Sequence, residues 1–145
     1  MRHRSILVAL CTVVAAAGLV VPVAAQGPPV SVWDGIYTEE QAARGEPLYH
    51  ASCAECHGSE LEGGEMGAPL AGSDFMWAWN ELTVGDLFER LRVSMPEANP
   101  KSMTNQEKVD VLAYMLARND IPAGAEELEP STAKLKPILF QAVRP

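Results

Sequence analysis

The residues whose types and spacing could do chemistry are concentrated at Cys53, Cys56 and His57. They form the pattern C-x-x-C-H, which is the attachment signature of a c-type haem. Two cysteines at this spacing can add across the two vinyl groups of one haem. The histidine that follows then lies under the porphyrin, where its imidazole nitrogen can bind the iron. The motif therefore predicts one covalently bound haem c with His57 as the proximal iron ligand.

Two other kinds of site also use a C-x-x-C pair. A thiol redox pair normally lies beside a βαβ unit, and the sequence around the motif has no strand pattern. A structural zinc ion needs four protein ligands, whereas the one remaining cysteine, Cys11, lies in an N-terminal apolar run and no histidine follows His57. Haem attachment is favoured over both alternatives.

The N-terminal region has the features of a secretory signal peptide. Arg2 and Arg4 form a basic start, residues 6–21 are apolar, and residues 23–25 supply small side chains for cleavage. The apolar run is short for a membrane span of about 20 residues, which argues against a retained anchor. A signal peptide over residues 1–25 predicts a periplasmic protein with no stable membrane span, and export suits haem attachment outside the cytoplasm.

Acidic residues outnumber basic ones in this chain of 145 residues, and the formal net charge is −8. Cleavage of the leader would remove Arg2 and Arg4 and no acid, which leaves nine basic and nineteen acidic residues and a charge of −10. Nucleic acid is not expected as a partner, because its binders need clustered positive charge. The acidity serves either solubility alone or docking to a basic surface on a redox partner, and the sequence favours neither.

Three main helices are predicted, which places the chain in the all-α class. They are expected over residues 38–52, 83–94 and 104–118. Thr38 with Gln41 and Thr104 with Glu107 have the spacing of capping boxes. The second helix should end before Pro96, which disfavours helical angles in the preceding residue.

Less regular segments surround these helices. An extended arm is expected over residues 26–35, a glycine-rich loop over 58–72 and a tail over 122–145, with a short helix over 131–140. The domain that holds the haem should therefore cover residues 36–121. The tail carries an apolar cluster, Ile138 to Phe140, which either packs on this domain or docks to a partner, and packing is the favoured alternative.

The second axial ligand is predicted to be a methionine, because its sulfur stabilises ferrous iron. Met95 has the best context, since it follows a helix and precedes a proline that fixes the backbone. Met103, just before the third helix, is the runner-up. Met115 fits the apolar face of that helix, Met66 lies in the glycine loop, and His50 is too close to the motif to reach the other haem face.

Together these motifs resemble class I cytochrome c. The resemblance rests on C-x-x-C-H, Pro69-Leu70, Met95-Pro96 and the helical stretch Val111–Tyr114, and it covers about residues 36–121. It implies that the first and last helices cross closely. Gly45 and Tyr49 on the first helix match that crossing, with Val111 and Tyr114 on the last.

The same resemblance implies a haem environment beyond the ligands. Pro69 matches the family proline, whose carbonyl would fix the His57 ring, and Leu70 follows it. Family members also place a tryptophan against a haem propionate. Trp77 or Trp79 could fill that role here.

A narrower resemblance is to the small monohaem cytochromes that accompany quinoprotein alcohol dehydrogenases. It rests on Tyr37-Thr38, Gln41–Gly45, Thr83–Arg90, Pro122–Gly124 and Glu127-Leu128. Lys101 stands where that pattern often has glycine and Met103 where it often has leucine, which keeps Met103 open as a ligand. The resemblance implies a carrier that takes electrons from an enzyme with pyrroloquinoline quinone (PQQ) and passes them towards an oxidase.

Two functional classes fit these features. An electron carrier, which is not itself an enzyme, needs a haem with both axial positions filled. A haem enzyme or a gas-binding haem protein needs an open distal site instead. Met95-Pro96 favours the carrier, because a filled sixth position excludes substrate.

Overall fold

The computed structural model describes residues 30–145. Its helices are α1 (Glu39–Ser52), α2 (Ala54–His57), α3 (Ser73–Trp79), α4 (Val84–Ser94), α5 (Asn105–Arg118) and α6 (Thr132–Leu135). Two short strands, β1 (Val30–Ser31) and β2 (Ile138–Leu139), pair in parallel. The predicted signal peptide over residues 1–25, with Cys11, and the start of the predicted arm lie outside the described residues. Within the described part, each helix is too short or too polar to cross a membrane.

The three long helices α1, α4 and α5 lie where the sequence predicts them. Complete capping boxes begin α4, between Thr83 and Asp86, and α5, between Thr104 and Glu107. Met95 ends α4 with an extended backbone, as expected for a residue before proline. The all-α fold class is confirmed.

The predicted capping box at the start of α1 forms only in part. Thr38 accepts a hydrogen bond from the Gln41 backbone N–H at 3.1 Å, as expected. The Gln41 side chain, however, is fully buried and turns to Leu128, donating to its carbonyl (3.0 Å) and accepting from its N–H (2.9 Å). A buried amide needs both partners, and Leu128 supplies them from a segment 87 residues away.

The crossing of α1 and α5 is the tightest helix contact in the fold. A Cβ added at Gly45 would overlap the Asp110 carbonyl oxygen and lie 2.9 Å from the Val111 nitrogen. The rings of Tyr49 and Tyr114 meet beside it with centroids 5.5 Å apart. The crossing lies at the residues predicted from the sequence, and glycine is needed there because the two backbones touch.

The ends of the described chain differ from the extended arm and longer terminal helix that were predicted. Ser31 caps a short 3-10 turn, and Val32 is completely buried, because residues 30–35 pair with the tail instead of standing free. Helix α6 ends at Leu135 although Lys136 keeps helical angles, because Pro137 has no backbone N–H with which to continue the helical hydrogen bonds. The chain then continues as β2 beside β1.

The tail lies against α3 and α4. A Cβ at Gly85 of α4 would lie 2.6 Å from the Lys136 nitrogen and 2.9 Å from the Thr132 carbonyl oxygen. Phe140 is fully buried, with its ring edge-on to Phe75 of α3 at 5.9 Å between centroids. Helix α3 itself was not predicted from the sequence. Its position matters, because α3 and α4 form one wall of the cavity described next.

Candidate haem site

Cys53, Cys56 and His57 are held at the end of α1 by backbone hydrogen bonds. The Cys53 N–H donates to the Tyr49 carbonyl (2.8 Å), and the His57 N–H donates to the Cys53 carbonyl (3.0 Å). The Tyr49 hydroxyl donates to the Gly58 carbonyl at 2.7 Å, which ties the end of the motif back to α1. All three predicted haem contacts are thus fixed to one rigid helix end.

A cavity of about 670 Å³ opens beside this motif. Cavities of roughly 300–1,000 Å³ commonly hold small organic ligands and cofactors. This one is lined by nearly all the residues that the sequence assigns to the haem: Cys53, Cys56, His57, Pro69, Leu70, Trp79, Met95 and Met103. The fold therefore gathers residues from separate stretches of the chain around one space.

The His57 ring is oriented by a carbonyl, but not by the one that was predicted. Its Nδ1 lies 2.7 Å from the Ala68 carbonyl oxygen, whereas the sequence pointed to the carbonyl of Pro69. Pro69 acts through the amide bond before it, because a proline restricts the preceding residue to extended angles and so aims that residue's carbonyl. Gly67 allows the approach, since a Cβ there would lie 2.8 Å from Nδ1. When Nδ1 carries the proton and donates to this carbonyl, Nε2 is left unprotonated and can bind iron.

The loop that carries Ala68 and Leu70 is anchored to the end of α5. Asn119 donates from Nδ2 to the Leu70 carbonyl and accepts from the Gly72 N–H, both at 3.0 Å. Leu61, in the same loop, is completely buried. The predicted loop over residues 58–72 is therefore an ordered wall of the site, and Asn119 is a contributor that the sequence analysis missed.

Both candidate methionine ligands line the cavity, and their surroundings differ. Met95 lies at the end of α4, while Met103 is packed against the hydrophobic core. Met115 lines the cavity from α5 and is only 1% exposed, whereas Met66 at the rim is 66% exposed. His50 is exposed on α1 and does not line the cavity.

The two tryptophans occupy different positions on α3. Trp79 lines the cavity and packs partly against the core. Trp77 is 62% exposed and does not line the cavity, so of the two only Trp79 is placed to contact a haem. The sequence could not separate them, because the helix that carries both was not predicted. Phe75 and Ala78 of α3 also line the cavity and were missed for the same reason.

The Cys53 thiol is poorly suited to redox catalysis. Burial raises the pKa of the Cys53 thiol to about 11, and the neighbouring Cys56 adds to the shift. Catalytic C-x-x-C thiols have a lowered pKa instead, because the thiolate is the nucleophile. Among residues 30–145, no three His, Cys, Asp or Glu side chains are arranged to hold a metal ion, which disfavours zinc.

The site fits a covalently bound haem. The two thiols of the C-x-x-C pair and an oriented imidazole share the cavity with methionine sulfur. Apolar side chains from three helices supply a wall: Phe75, Leu87, Leu91, Val111 and Met115. Charged side chains also border the cavity. Arg90 is exposed, while Lys108 is buried and bonded to backbone carbonyls. Burial, together with nearby Arg92, lowers the pKa of Lys108.

A match to a protein-family model supports the haem assignment. The family model described as "Cytochrome C oxidase, cbb3-type, subunit III" matches residues 40–115. Among solved structures, the sulfane dehydrogenase SoxCD from Paracoccus pantotrophus is similar, with 19% identity and a TM-score of 0.48 over 74% of this chain. The match spans 61% of that solved chain. A search of curated proteins found no match.

The family match covers α1, the C-x-x-C-H motif, the glycine loop, α3, α4, Met95, Met103 and most of α5. It thus includes the whole cavity and more than half of the chain. The cofactor predicted from the motif, haem c, is confirmed by this membership. The protein belongs to the cbb3-type cytochrome c oxidase subunit III family and is a c-type cytochrome.

Proposed function

We propose that this protein carries single electrons between redox partners, with His57 and Met95 as the axial ligands of its haem. The observation that carries the proposal is that His57 and Met95 line the same cavity although α3 and α4 lie between them in the chain. A haem with both axial positions filled supplies one-electron exchange without binding substrate. The chain's own residues fix the imidazole, supply the sulfur and surround both with apolar groups.

The surroundings of the two methionines support Met95 over Met103. Met103 is partly buried and packs against the hydrophobic core, so turning its sulfur to the iron would remove that packing. Met95 lies outside the core cluster and has the extended backbone of a residue before proline. It can supply its sulfur without loss of core packing.

Carbon monoxide separates the carrier from a haem enzyme or gas-binding protein. The reduced parent protein should show an absorption spectrum that carbon monoxide does not change within minutes, because both axial positions are filled. Immediate formation of a carbon monoxide complex with the full haem population would instead establish an open distal site. That result would favour a haem enzyme or a gas-binding haem protein over an electron carrier.

Export to the periplasm is also part of the proposal. The signal-peptide features of residues 1–25 support it, and covalent haem c is attached outside the cytoplasm. Expression of the full chain with the haem-attachment machinery should yield a periplasmic protein whose mass corresponds to Gln26–Pro145 plus one haem. An intact leader on the haem-loaded protein would contradict cleavage at this site.

The proposed partners are a PQQ-dependent dehydrogenase as donor and a terminal oxidase as acceptor. The stretches that resemble cytochromes of quinoprotein dehydrogenases support the donor, and the family's name, an oxidase subunit, supports the acceptor. A mature charge of −10 should speed the encounter with a basic donor surface. Electron transfer from such a dehydrogenase should slow as salt is raised, because the Debye length shortens to about 8 Å at 0.15 M. A rate that is independent of salt would remove the electrostatic argument for this partner.

A further inference from the structure

Lys108 occupies a position that is unfavourable for a lysine in two respects. It lies in the first part of α5, near the positive end of the helix dipole, where a cation is disfavoured. It is also only 3% exposed, although lysine is rarely buried unless its charge is paired. A buried cation in an unfavourable field needs compensating contacts, so its partners indicate what it does.

The Lys108 ammonium is bonded to two backbone carbonyls that bracket Met95. Nζ donates to the Arg92 carbonyl at 2.9 Å and to the Pro100 carbonyl at 2.6 Å. The Arg92 carbonyl lies in the last turn of α4, at the negative end of the helix dipole. No backbone N–H of α4 is available to donate to it. The two bonds therefore fasten both ends of the stretch 92–100 to one point on α5.

Apart from these two bonds, the described hydrogen bonds of the methionine segment, residues 95–103, are all local. Among the described residues, the other hydrogen bonds of residues 95–103 join residues no more than four positions apart, such as Asn99 to Pro96 (3.1 Å) and Ser102 to Asn99 (3.0 Å). Local bonds of this kind shape a loop but do not fix its position on the body of the protein. Lys108 supplies the long-range hydrogen bonds that do.

From this geometry we infer that Lys108 is a positioning residue that holds the Met95 segment at the haem cavity. Its helix α5 also crosses α1, whose end carries the C-x-x-C-H motif. Lys108 thus attaches the methionine segment to the same pair of helices, α1 and α5, that positions His57. The inference rests on the proposed role of Met95 as ligand.

The test replaces Lys108 by methionine, which keeps the length and apolar stem but cannot bind the carbonyls. Lys101→Met is the matched control, because it removes the same charge from an exposed position in the same segment. Each holoprotein is measured for its near-infrared sulfur-to-iron band, its carbon monoxide binding when reduced, and its unfolding by denaturant. Loss of two hydrogen bonds to a charged group should raise the fraction open to carbon monoxide by at least about tenfold in Lys108→Met. Lys101→Met should match the parent.

The outcomes separate this inference from the ligand assignment. A folded Lys108→Met protein that keeps the full band and excludes carbon monoxide would overturn the inference, even if its stability is lowered. If Met95→Ala itself keeps the parental band, the ligand assignment fails and the inference fails with it. Should Lys108→Met not fold, Lys108→Leu, which also lacks a hydrogen-bond donor, takes its place. Parental exclusion of carbon monoxide by folded Lys108→Leu would then count against the inference.

Discussion

The two sides of the haem cavity are built in different ways. The attachment side, formed by α1, α2 and α5, has its chemistry in five consecutive residues at the end of one helix. That helix is locked to α5 where Gly45 meets the backbone of Asp110. The methionine side, formed by α3, α4 and residues 95–103, has no such crossing. It is held by Lys108 and by the tail, through Gly85 against Lys136 and Phe140 against Phe75.

This difference separates the two tasks of the site. Covalent attachment fixes one side of the haem permanently, so a rigid helix pair is sufficient there. A methionine sulfur is bound only through the iron and must be kept in place by the surrounding protein. Destabilising changes on the methionine side should therefore open the distal position before they release the haem.

Removal of a thiol should have the largest effect, and it acts on the attachment side. Cys53→Ala and Cys56→Ala should each leave at most one thioether bond or prevent maturation altogether. Haem staining after denaturing electrophoresis and acid-acetone extraction measure this directly. The matched control is Ser52→Ala, at an exposed position next to the motif, which should retain its haem. Haem that is fully extractable from the parent would contradict covalent attachment.

The helix crossing should be nearly as sensitive. Gly45→Val places a side chain where a Cβ would already overlap the Asp110 carbonyl oxygen, so the unfolding free energy should fall by more than the ~3 kcal/mol upper end usual for overpacking. Ala43→Val introduces the same residue at an exposed position of α1. It should cost well under about 1 kcal/mol, as expected from helix propensity alone. Denaturant melts in which the two variants are equally stable would show that the crossing tolerates a side chain.

The tail should support the methionine side. Phe140→Ala leaves a cavity beside Phe75 of α3, and the unfolding free energy should fall by about 3 kcal/mol, the lower end for a buried phenylalanine. Val143→Ala, at a side chain that is 64% exposed, is the control and should be close to the parent. The near-infrared band of Phe140→Ala should weaken at denaturant concentrations that leave the haem attached and the helices folded. Simultaneous loss of band and helix signal would mean that the two sides are not separable.

A smaller effect is expected from acid on the same side. Hydrogen bonds from Lys136 of the tail and from Thr83 lower the pKa of Asp86 from 3.8 to about 2. Because the folded pKa lies below the ordinary value, this carboxylate stabilises the fold above about pH 4, and its contribution is lost as pH falls towards 2. The site is partly exposed, so the effect should be about 1 kcal/mol. Asp86→Asn should therefore have a lower unfolding free energy than the parent at pH 6, and this difference should become smaller by pH 3. A difference that stays constant with pH would contradict the ion pair between Asp86 and Lys136.

Sequence reasoning succeeded where the signal is local. C-x-x-C-H lies within five residues, and the capping box at Thr104 spans four, so short-range chemistry was sufficient to predict them. It failed where a partner is distant along the chain. Gln41 turns to Leu128, and β1 pairs with β2 across the whole fold. No local pattern encodes such a choice.

The site shows the same division. The carbonyl of Ala68 rather than that of Pro69 meets His57, because the proline acts on the amide bond before it. Trp79 could not be distinguished from Trp77 without the position of α3. The contacts of Lys108 could not be predicted from the sequence either, although a lysine near the start of a helix is an unfavourable placement that the sequence shows.

The central claim is that Met95 supplies the second axial ligand, and paired methionine variants test it most directly. Oxidised parent protein should show a weak near-infrared band from sulfur bound to iron. Met95→Ala should abolish the band and admit carbon monoxide to the reduced haem, whereas Met103→Ala should keep the band and lose only stability. The reverse pattern, with the band lost in Met103→Ala and kept in Met95→Ala, would contradict the account.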